Sequence, residues 1–371
     1  MTINLTTSDV KRMTNLITNT NTKTVSSQDR YFMTLAINLA KKGQFTTRPN
    51  PCVGCVIVKD GEVIGQGYHY KAGQPHAEVF ALRQAVQNTG DDLTGATAYV
   101  TLEPCSHYGR TPPCADALIN AKISRVVIAT TDPNPKVAGG GIAKLQNAGI
   151  EVIIPICQND AKALNKGFLK TMSGGLPYVR LKIACSLDGK IAMVNGESKW
   201  ITGDDARDDV QRLRAMSGAI ITGSETIMTD TPRLDVRSGQ IANLADIEQP
   251  LLVVLDRRKR LKLTDECLQY QQNRPLWLCQ DDMDLKEVLQ TLKDKYQIHD
   301  VLVEAGASVA TAFLQADLVD ELIVYQAPCL LGNSAKSMFT ADFNSISEQL
   351  RFSLVSRETM GNDLKLTFTA L

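Results

Sequence analysis

The chain has 371 residues, more than one hydrophobic core usually holds, so two domains are expected. Its 40 basic and 40 acidic residues cancel, and no dense Lys/Arg cluster occurs beyond residues 257–262, which disfavours a polynucleotide partner, since tracking a phosphate backbone takes a basic stripe. Nine cysteines at irregular spacings form no disulfide framework and no run of eighteen apolar residues is present, so a cytoplasmic protein with no membrane partner is expected.

Residues 1–26 are rich in Thr and Asn without an apolar stretch, and read as a poorly ordered arm. From Gln28, apolar residues Phe32, Leu35, Ala36, Leu39 and Ala40 recur at helical spacing until Gly43. Pro49-Asn50-Pro51 turns the chain into a strand at 53–59, and Asp60-Gly61 is a hairpin turn into 63–67. A helix at 77–87, a strand at 98–102, a helix at 114–121 with Pro113 in its first turn, and a strand at 125–130 follow. This alternation predicts a three-layer α/β domain presenting ligands at strand-to-helix junctions. Gly139-Gly140-Gly141 lacks the G-x-G-x-x-G spacing and reads as a flexible loop. A strand at 151–155 and a short helical stretch to Met172 complete this half.

The chemistry of the first half is concentrated in His76-Ala77-Glu78, Pro104-Cys105 and Pro113-Cys114. One imidazole and two thiolates, His76, Cys105 and Cys114, are the ligand set of a catalytic zinc, which keeps a fourth position for water. Glu78, two residues beyond the histidine, is free to carry a proton from that water to a departing amine, which is hydrolytic deamination. The signature of zinc nucleobase deaminases is H-x-E followed by P-C-x-x-C, whereas here eight residues separate the cysteines. The bland alternative is a closed structural zinc with Cys52 and Cys55 completing four sulfurs, and it leaves His76 and Glu78 without a purpose.

Ser173-Gly174-Gly175-Leu176-Pro177 breaks every periodic pattern and reads as a linker. Beyond it strands are expected at 178–184, 219–222, 251–255, 276–279, 301–303, 321–325, 352–355 and 364–368, with helices at 206–216, 285–296 and 308–316, a second α/β sheet. Thr202-Gly203-Asp204-Asp205 has the form of a capping box opening a helix. That helix carries Arg207 and Arg214 on one face, where they would either hold a phosphate or form a solvated face balanced by Asp208 and Asp209. At 301–308 a buried strand, small residues and a helix form a junction at which backbone N–H groups can meet a pyrophosphate. Trp200 and the turn Ser186-Leu187-Asp188-Gly189-Lys190 read either as a ring-closing loop or as core.

Longer stretches resemble the bacterial bifunctional riboflavin-biosynthesis deaminase and reductase family. In the first half these are Asn50-Pro51-Cys52-Val53-Gly54-Cys55-Val56, His76-Ala77-Glu78, the run from Thr101-Leu102-Glu103-Pro104-Cys105 to Pro113-Cys114, and Asp132-Pro133-Asn134-Pro135. In the second they are Leu181-Lys182-Ile183-Ala184-Cys185-Ser186-Leu187-Asp188-Gly189-Lys190, Ser198-Lys199-Trp200-Ile201-Thr202-Gly203 and Val303-Glu304-Ala305-Gly306. The resemblance covers about residues 27–371 and explains the eight-residue insert. It implies a zinc deaminase domain at 27–172, similar in fold to cytidine deaminases, and an NADPH-dependent reductase domain at 178–371, similar to dihydrofolate reductases. The first would deaminate 2,5-diamino-6-ribosylamino-4(3H)-pyrimidinone 5′-phosphate, and the second would reduce the ribosyl side chain of the product. By the same resemblance His76, Cys105 and Cys114 hold zinc, and Glu78 is the proton shuttle. Ala184, Trp200, Thr226, Asp230, Arg257, Gly306, Ala307, Ser308, Val309, Ala310, Thr311 and Ala312 match NADP positions. Asn50, Ser198, Arg214, Leu234, Arg237 and Glu304 match substrate positions, with Lys182 beside them.

Two rival readings are a nucleic-acid-editing zinc deaminase with an accessory domain and a non-catalytic zinc-binding module. Neutral charge and the second sheet count against the first, and the unused Glu78 against the second. A small-molecule substrate and assembly into a homo-oligomer are expected. No chemical motif in either half borrows a residue from the other, which predicts that the two halves act independently.

Overall fold

A computed structural model describes residues 25–108, 112–135, 137–271 and 274–371, so most of the expected N-terminal arm lies outside the described residues. The first half is a five-stranded sheet in the order β2-β1-β3-β4-β5. Its strands are Gly54–Lys59 (β1), Glu62–Tyr68 (β2), Thr97–Val100 (β3), Arg125–Ile128 (β4) and Glu151–Ile153 (β5). Asp60 and Gly61, both at positive φ, make the tight turn between β1 and β2. Alternate strand residues bury on opposite faces, as a two-residue period requires. Val56, Val58, Tyr99 and Val127 pack under helix Ser27–Ala40 (α1). Cys55, Ile57, Ala98, Val100 and Val126 pack under Ala77–Thr89 (α2) and Cys114–Asn120 (α3). The three layers expected from the sequence are present.

Glycines let the helices sit close to this sheet. A β-carbon on Gly65 would run into the Ala81 carbonyl oxygen of α2, and one on Gly54 into the Ala36 carbonyl of α1. The α1 end of the sheet is fixed by Asp29, which closes the capping box with Ser26 and accepts hydrogen bonds from Tyr99 Oη (2.9 Å) and two Arg125 nitrogens (2.7 and 3.0 Å).

Two sequence expectations fail here. The triple glycine is not a loop, because Gly140 and Gly141 open the helix Gly140–Asn147 (α4), with Gly139 left-handed before it. Pro113 stands at the N-cap of α3 instead of inside its first turn. Helices Gln158–Leu164 (α5) and Lys166–Met172 (α6) then lead to residues 173–177.

The second half is an eight-stranded sheet ordered β10-β9-β8-β11-β6-β12-β15-β14. The strands are Tyr178–Ser186 (β6), Ala219–Gly223 (β8), Leu251–Leu255 (β9), Leu276–Cys279 (β10), Asp300–Val303 (β11), Glu321–Ala327 (β12), Phe352–Met360 (β14) and Asp363–Ala370 (β15). Six strands run parallel and the last two are antiparallel. Helices Leu285–Tyr296 (α9) and Ala307–Gln315 (α10) cover one face, while Asp204–Met216 (α7) and Ser224–Asp230 (α8) cover the other. The sequence missed α8 and a two-stranded sheet of Lys190–Ala192 (β7) with Lys336–Ser337 (β13). The expected capping box is absent: the N-cap of α7 is Gly203, with no side-chain cap, and its N–H donates to Asp363 Oδ2 at 2.7 Å.

The first half sits against the N-terminal ends of the parallel strands. Thr171 Oγ1 of α6 lies 2.7 Å from His299 Nδ1, just before β11, and Lys166 bonds Glu321 at the start of β12 (2.9 Å). Gly167 lies where a β-carbon would meet the His299 carbonyl and the Asp300 carboxylate. The Arg48 guanidinium donates to the carbonyls of Ser217 and Glu248, and Tyr70 Oη donates to Asp246.

Arg125 holds the Asp29 carboxyl well below the usual carboxylate range. A depressed folded value contributes stability above the unfolded pKa of about 3.9, lost as pH falls through the folded value. Asp29→Asn should therefore lower unfolding free energy by about 1.5–3 kcal/mol at pH 7, and the gap to the parent should close with acidification. Urea titrations from pH 7 down to 3 check both the size and the sign.

Candidate active sites

In the first half, β2 runs into the N-terminus of α2 and β3 into that of α3, bringing His76 and the cysteines together. His76 is the N-cap of α2, and Cys114 is the first residue of α3. His76 Nδ1 lies 3.2 Å from Cys114 Sγ and 3.7 Å from Cys105 Sγ, and the three donor atoms all fall within 4.8 Å of one another. The Cys114 backbone N–H donates to Cys105 Sγ at 3.3 Å, so the start of α3 supports negative charge on that sulfur. A hydrogen bond between the two free thiols draws the Cys105 thiol below its ordinary value, and the same hydrogen bond and burial push Cys114 up.

Glu78 is buried, its carboxyl raised above the ordinary value by loss of water, and its Oε2 has no hydrogen-bond partner among the described residues. Cys52 and Cys55 do not complete a four-sulfur site. Cys52 Sγ contacts Thr47 Oγ1 at 3.4 Å, Cys55 is buried in the core between the sheet and α2, and neither joins the ligand cluster.

A cavity of about 470 Å³ opens onto this cluster, lined among others by Asn50, His69, Glu78, Cys105, His107, Asp132 and Asn134. Three of the chain's four histidines therefore border it, and sequence reading found only His76. His69 Nδ1 lies 3.2 Å from the Pro75 carbonyl, and Nε2 lies 3.0 Å from Asn50 Nδ2. Donation from Nδ1 to the carbonyl leaves Nε2 to accept from Asn50, which fixes the Asn50 amide in the wall.

In the second half the expected residues gather at the C-terminal ends of the parallel strands. Glu304 follows β11 and is clasped by Arg214, with Nε at 2.6 Å and Nη2 at 2.9 Å, while Lys182 Nζ stands 3.8 Å away. The cations hold the Glu304 carboxyl down against burial, and burial lowers the Lys182 ammonium. Arg207 and Arg214 do not share an anion. Arg214 turns inward to Glu304, and Arg207 stacks 4.5 Å over the Trp200 ring and bonds the Thr202 carbonyl. Nor is the face of α7 merely solvated, because Asp209 is held by Tyr325 Oη (2.6 Å) and Lys365 (2.7 Å).

The starts of α8 and α10 lie side by side. A β-carbon on Gly306 would meet Thr226 Oγ1 at 3.9 Å, and one on Gly223 would meet Val309 at 3.1 Å. Gly306 caps α10 without any side-chain bond, so the first-turn N–H groups around Ala307, Ser308 and Val309 have no side-chain cap. Ala310 and Thr311 are turned into the core, and Thr311 Oγ1 accepts from Thr340 N–H, while Ala312 is exposed a turn farther on. Ser198 Oγ lies 3.4 Å from Asp230, and Lys199 Nζ bonds the Asp230 carbonyl at 2.8 Å, which ties the Trp200 segment to α8. Ala184 lies near the end of β6. Leu234 is buried at positive φ, Arg237 is bonded to Asp235, and Arg257 is exposed just beyond β9.

Comparison with known proteins agrees with both halves. Residues 26–130 match the cytidine and deoxycytidylate deaminase zinc-binding region, and residues 177–366 match the RibD C-terminal domain. The riboflavin biosynthesis protein RibD of Haemophilus influenzae is 46% identical over 93% of this chain and 98% of its own length. The chain belongs to the RibD family. The Escherichia coli RibD is 48% identical over 84% of this chain and 91% of its own. Among solved structures, Acinetobacter baumannii RibD superposes with a TM-score of 0.87 at 53% identity, covering 93% of this chain and 99% of that one. A diaminohydroxyphosphoribosylaminopyrimidine deaminase/5-amino-6-(5-phosphoribosylamino)uracil reductase from Thermotoga maritima gives 0.85 at 35% identity, with the same coverage.

One further residue of this RibD-family site escaped sequence reading. Glu103, buried two residues before Cys105, accepts N–H bonds from Asp132 (3.3 Å), Gly139 (3.2 Å), Gly141 (3.0 Å) and Ile142 (3.3 Å). Its carboxylate caps α4 and ties the Asp132 loop to the ligand strand. Glu103→Gln would turn an NH₂ towards two of these donors. At about 1–3 kcal/mol for each buried unpaired group, stability should fall by about 2–6 kcal/mol. Urea unfolding measures that loss, and hydrogen exchange should accelerate selectively at Gly139, Gly141 and Ile142.

Proposed function

We propose that this RibD-family chain carries out two successive steps of riboflavin biosynthesis. The first is zinc-dependent hydrolytic deamination of 2,5-diamino-6-ribosylamino-4(3H)-pyrimidinone 5′-phosphate. The second is NADPH-dependent reduction of the ribosyl side chain, giving 5-amino-6-ribitylamino-uracil 5′-phosphate. The observation that carries the first step is the unpartnered, buried Glu78 oxygen beside three metal-type donors at the floor of a cavity.

His76, Cys105 and Cys114 fit zinc in number and type and would hold it through one nitrogen and two sulfurs. Bound there, zinc supplies Lewis acidity that makes water a nucleophile near neutral pH. Glu78 takes a proton at its free oxygen and returns it to the departing amine, a role suited to a carboxyl that burial has raised. Asn50, fixed by His69, orients the pyrimidine ring.

In the second half the open start of α10 at Gly306 fits a pyrophosphate, and Arg257 beyond β9 fits a 2′-phosphate. NADPH supplies the hydride. Arg214 and Lys182, gathered on Glu304, hold the sugar end of the substrate, and Ser198 and Arg237 reach it from the neighbouring loops.

The working boundaries are 27–172 for the deaminase unit, 173–177 for the connection and 178–371 for the reductase unit. Copies of the chain associate through the edge strand β14, whose Leu354 and Val355 are exposed. The working compartment is the cytoplasm, and no helix among the described residues is long and apolar enough to cross a membrane.

Glu78→Gln keeps the shape of the side chain and removes its basicity. Ammonia release should fall by about 10²–10⁴-fold with the metal retained on elemental analysis. Near-normal deamination, or loss of zinc, would take the proton role from Glu78. Arg257→Ala should raise the KM for NADPH by about ten- to a hundredfold while leaving that for NADH nearly unchanged, as steady-state NADPH and NADH oxidation would report.

A further inference from the structure

The deaminase cavity is not built by the first half alone. Among its lining residues is Gln297, which belongs to the second half and follows α9 directly. A residue of the second half thus borders this pocket, which bears on the expectation that the two halves act independently. A second cavity of about 340 Å³ runs between the halves and shares Pro49, Asn50, Pro51, Phe168 and Gln297 with the first. Of these five, Gln297 alone comes from the second half.

Gln297 is held in place from several directions. Its backbone is left-handed (φ 54°) and its N–H closes α9 onto the Lys293 carbonyl at 3.1 Å. Next to it, Ile298 is buried over Gly218, where a β-carbon would meet it at 3.0 Å. His299 then contacts Thr171, packs edge-on against Phe168 with ring centroids 5.7 Å apart, and accepts the Tyr178 N–H through its carbonyl at 2.8 Å. The segment is thus anchored to α6 of the first half and to β6 of the second. Gln297 itself is exposed, so its backbone is anchored while its amide stays open to solvent at the edge of the pocket.

From this placement we infer that Gln297 is a specificity-determining residue of the deaminase, through which the reductase half completes the pocket for a polar, uncharged portion of the pyrimidine nucleotide. The inference rests on reading the cavity as the deamination site. A primary amide offers both a donor and an acceptor, which suits a substrate region rich in ring carbonyl, amine and hydroxyl groups. It serves binding and leaves the proton transfers to Glu78.

The test uses the full zinc-loaded chain carrying Gln297→Gly or Gln297→Asn, both tolerant of the left-handed backbone. Ammonia release from the diaminopyrimidine nucleotide and NADPH oxidation with the already deaminated product are followed separately. One lost hydrogen bond should raise the KM for deamination by about two- to tenfold in the glycine variant, with kcat, zinc content and reductase KM unchanged. The asparagine variant, whose amide is one methylene short, should move in the same direction. A KM equal to the parent's in both variants, or an equal loss in both reactions, overturns the inference. If the parent chain releases ammonia and the variants match it, only this inference falls; a parent chain that releases none removes the deaminase reading with it.

Discussion

Two helices must begin at one point for the first site to exist. His76 ends an extended segment at the start of α2, and Cys114 opens α3, so the distance between their donor atoms depends on how closely both helices lie on the sheet. That closeness is set by Gly65 and Gly67, which admit the backbone of α2 where any side chain would hold it off. The resulting convergence brings helix N-termini, with their unpaired N–H groups, up to two thiols and an imidazole. Glu78 is buried as a consequence, since its position in the first turn of α2 is inseparable from that of the histidine two residues earlier.

Carboxylates organise both halves, by opposite means. Glu103 is surrounded by backbone N–H groups and by no cation among its bonded partners, so it acts as a cap and a tie. Glu304 is surrounded by side-chain cations, Arg214 in two-point contact and Lys182 beside it, at the mouth of the second sheet. A buried pair with one partner removed leaves an uncompensated charge, which makes such a cluster rigid. That rigidity suits a site that must hold a sugar against a cofactor.

Much of this was legible in the sequence because the informative residues are close together along the chain. His76 and Glu78, or Cys105 and Cys114, need only one helix start each, and central strands such as Leu251–Leu255 and Asp300–Val303 follow apolar runs whose burial is nearly continuous. What was lost depended on partners far away in sequence. The glycines at 139–141 look like a loop until the Glu103 carboxylate, some forty residues earlier, satisfies the N–H groups that let them start a helix. Arg207 and Arg214 share a helical face in projection, yet Trp200 takes one and Glu304 the other. Gln297 carries no local signal at all, because its place in the pocket follows from how the halves meet.

The first half sits on the N-terminal ends of the parallel strands, whereas Glu304, Ala184 and the starts of α8 and α10 stand at the C-terminal ends. Between them lie strands of four to nine residues, at about 3.3 Å per residue, with Leu181, Ile221, Leu302 and Val303 filling the interior completely. Within one chain, a molecule released at one end reaches the other around the outside of this sheet. The covalent union of the two catalysts in one polypeptide secures their equal numbers.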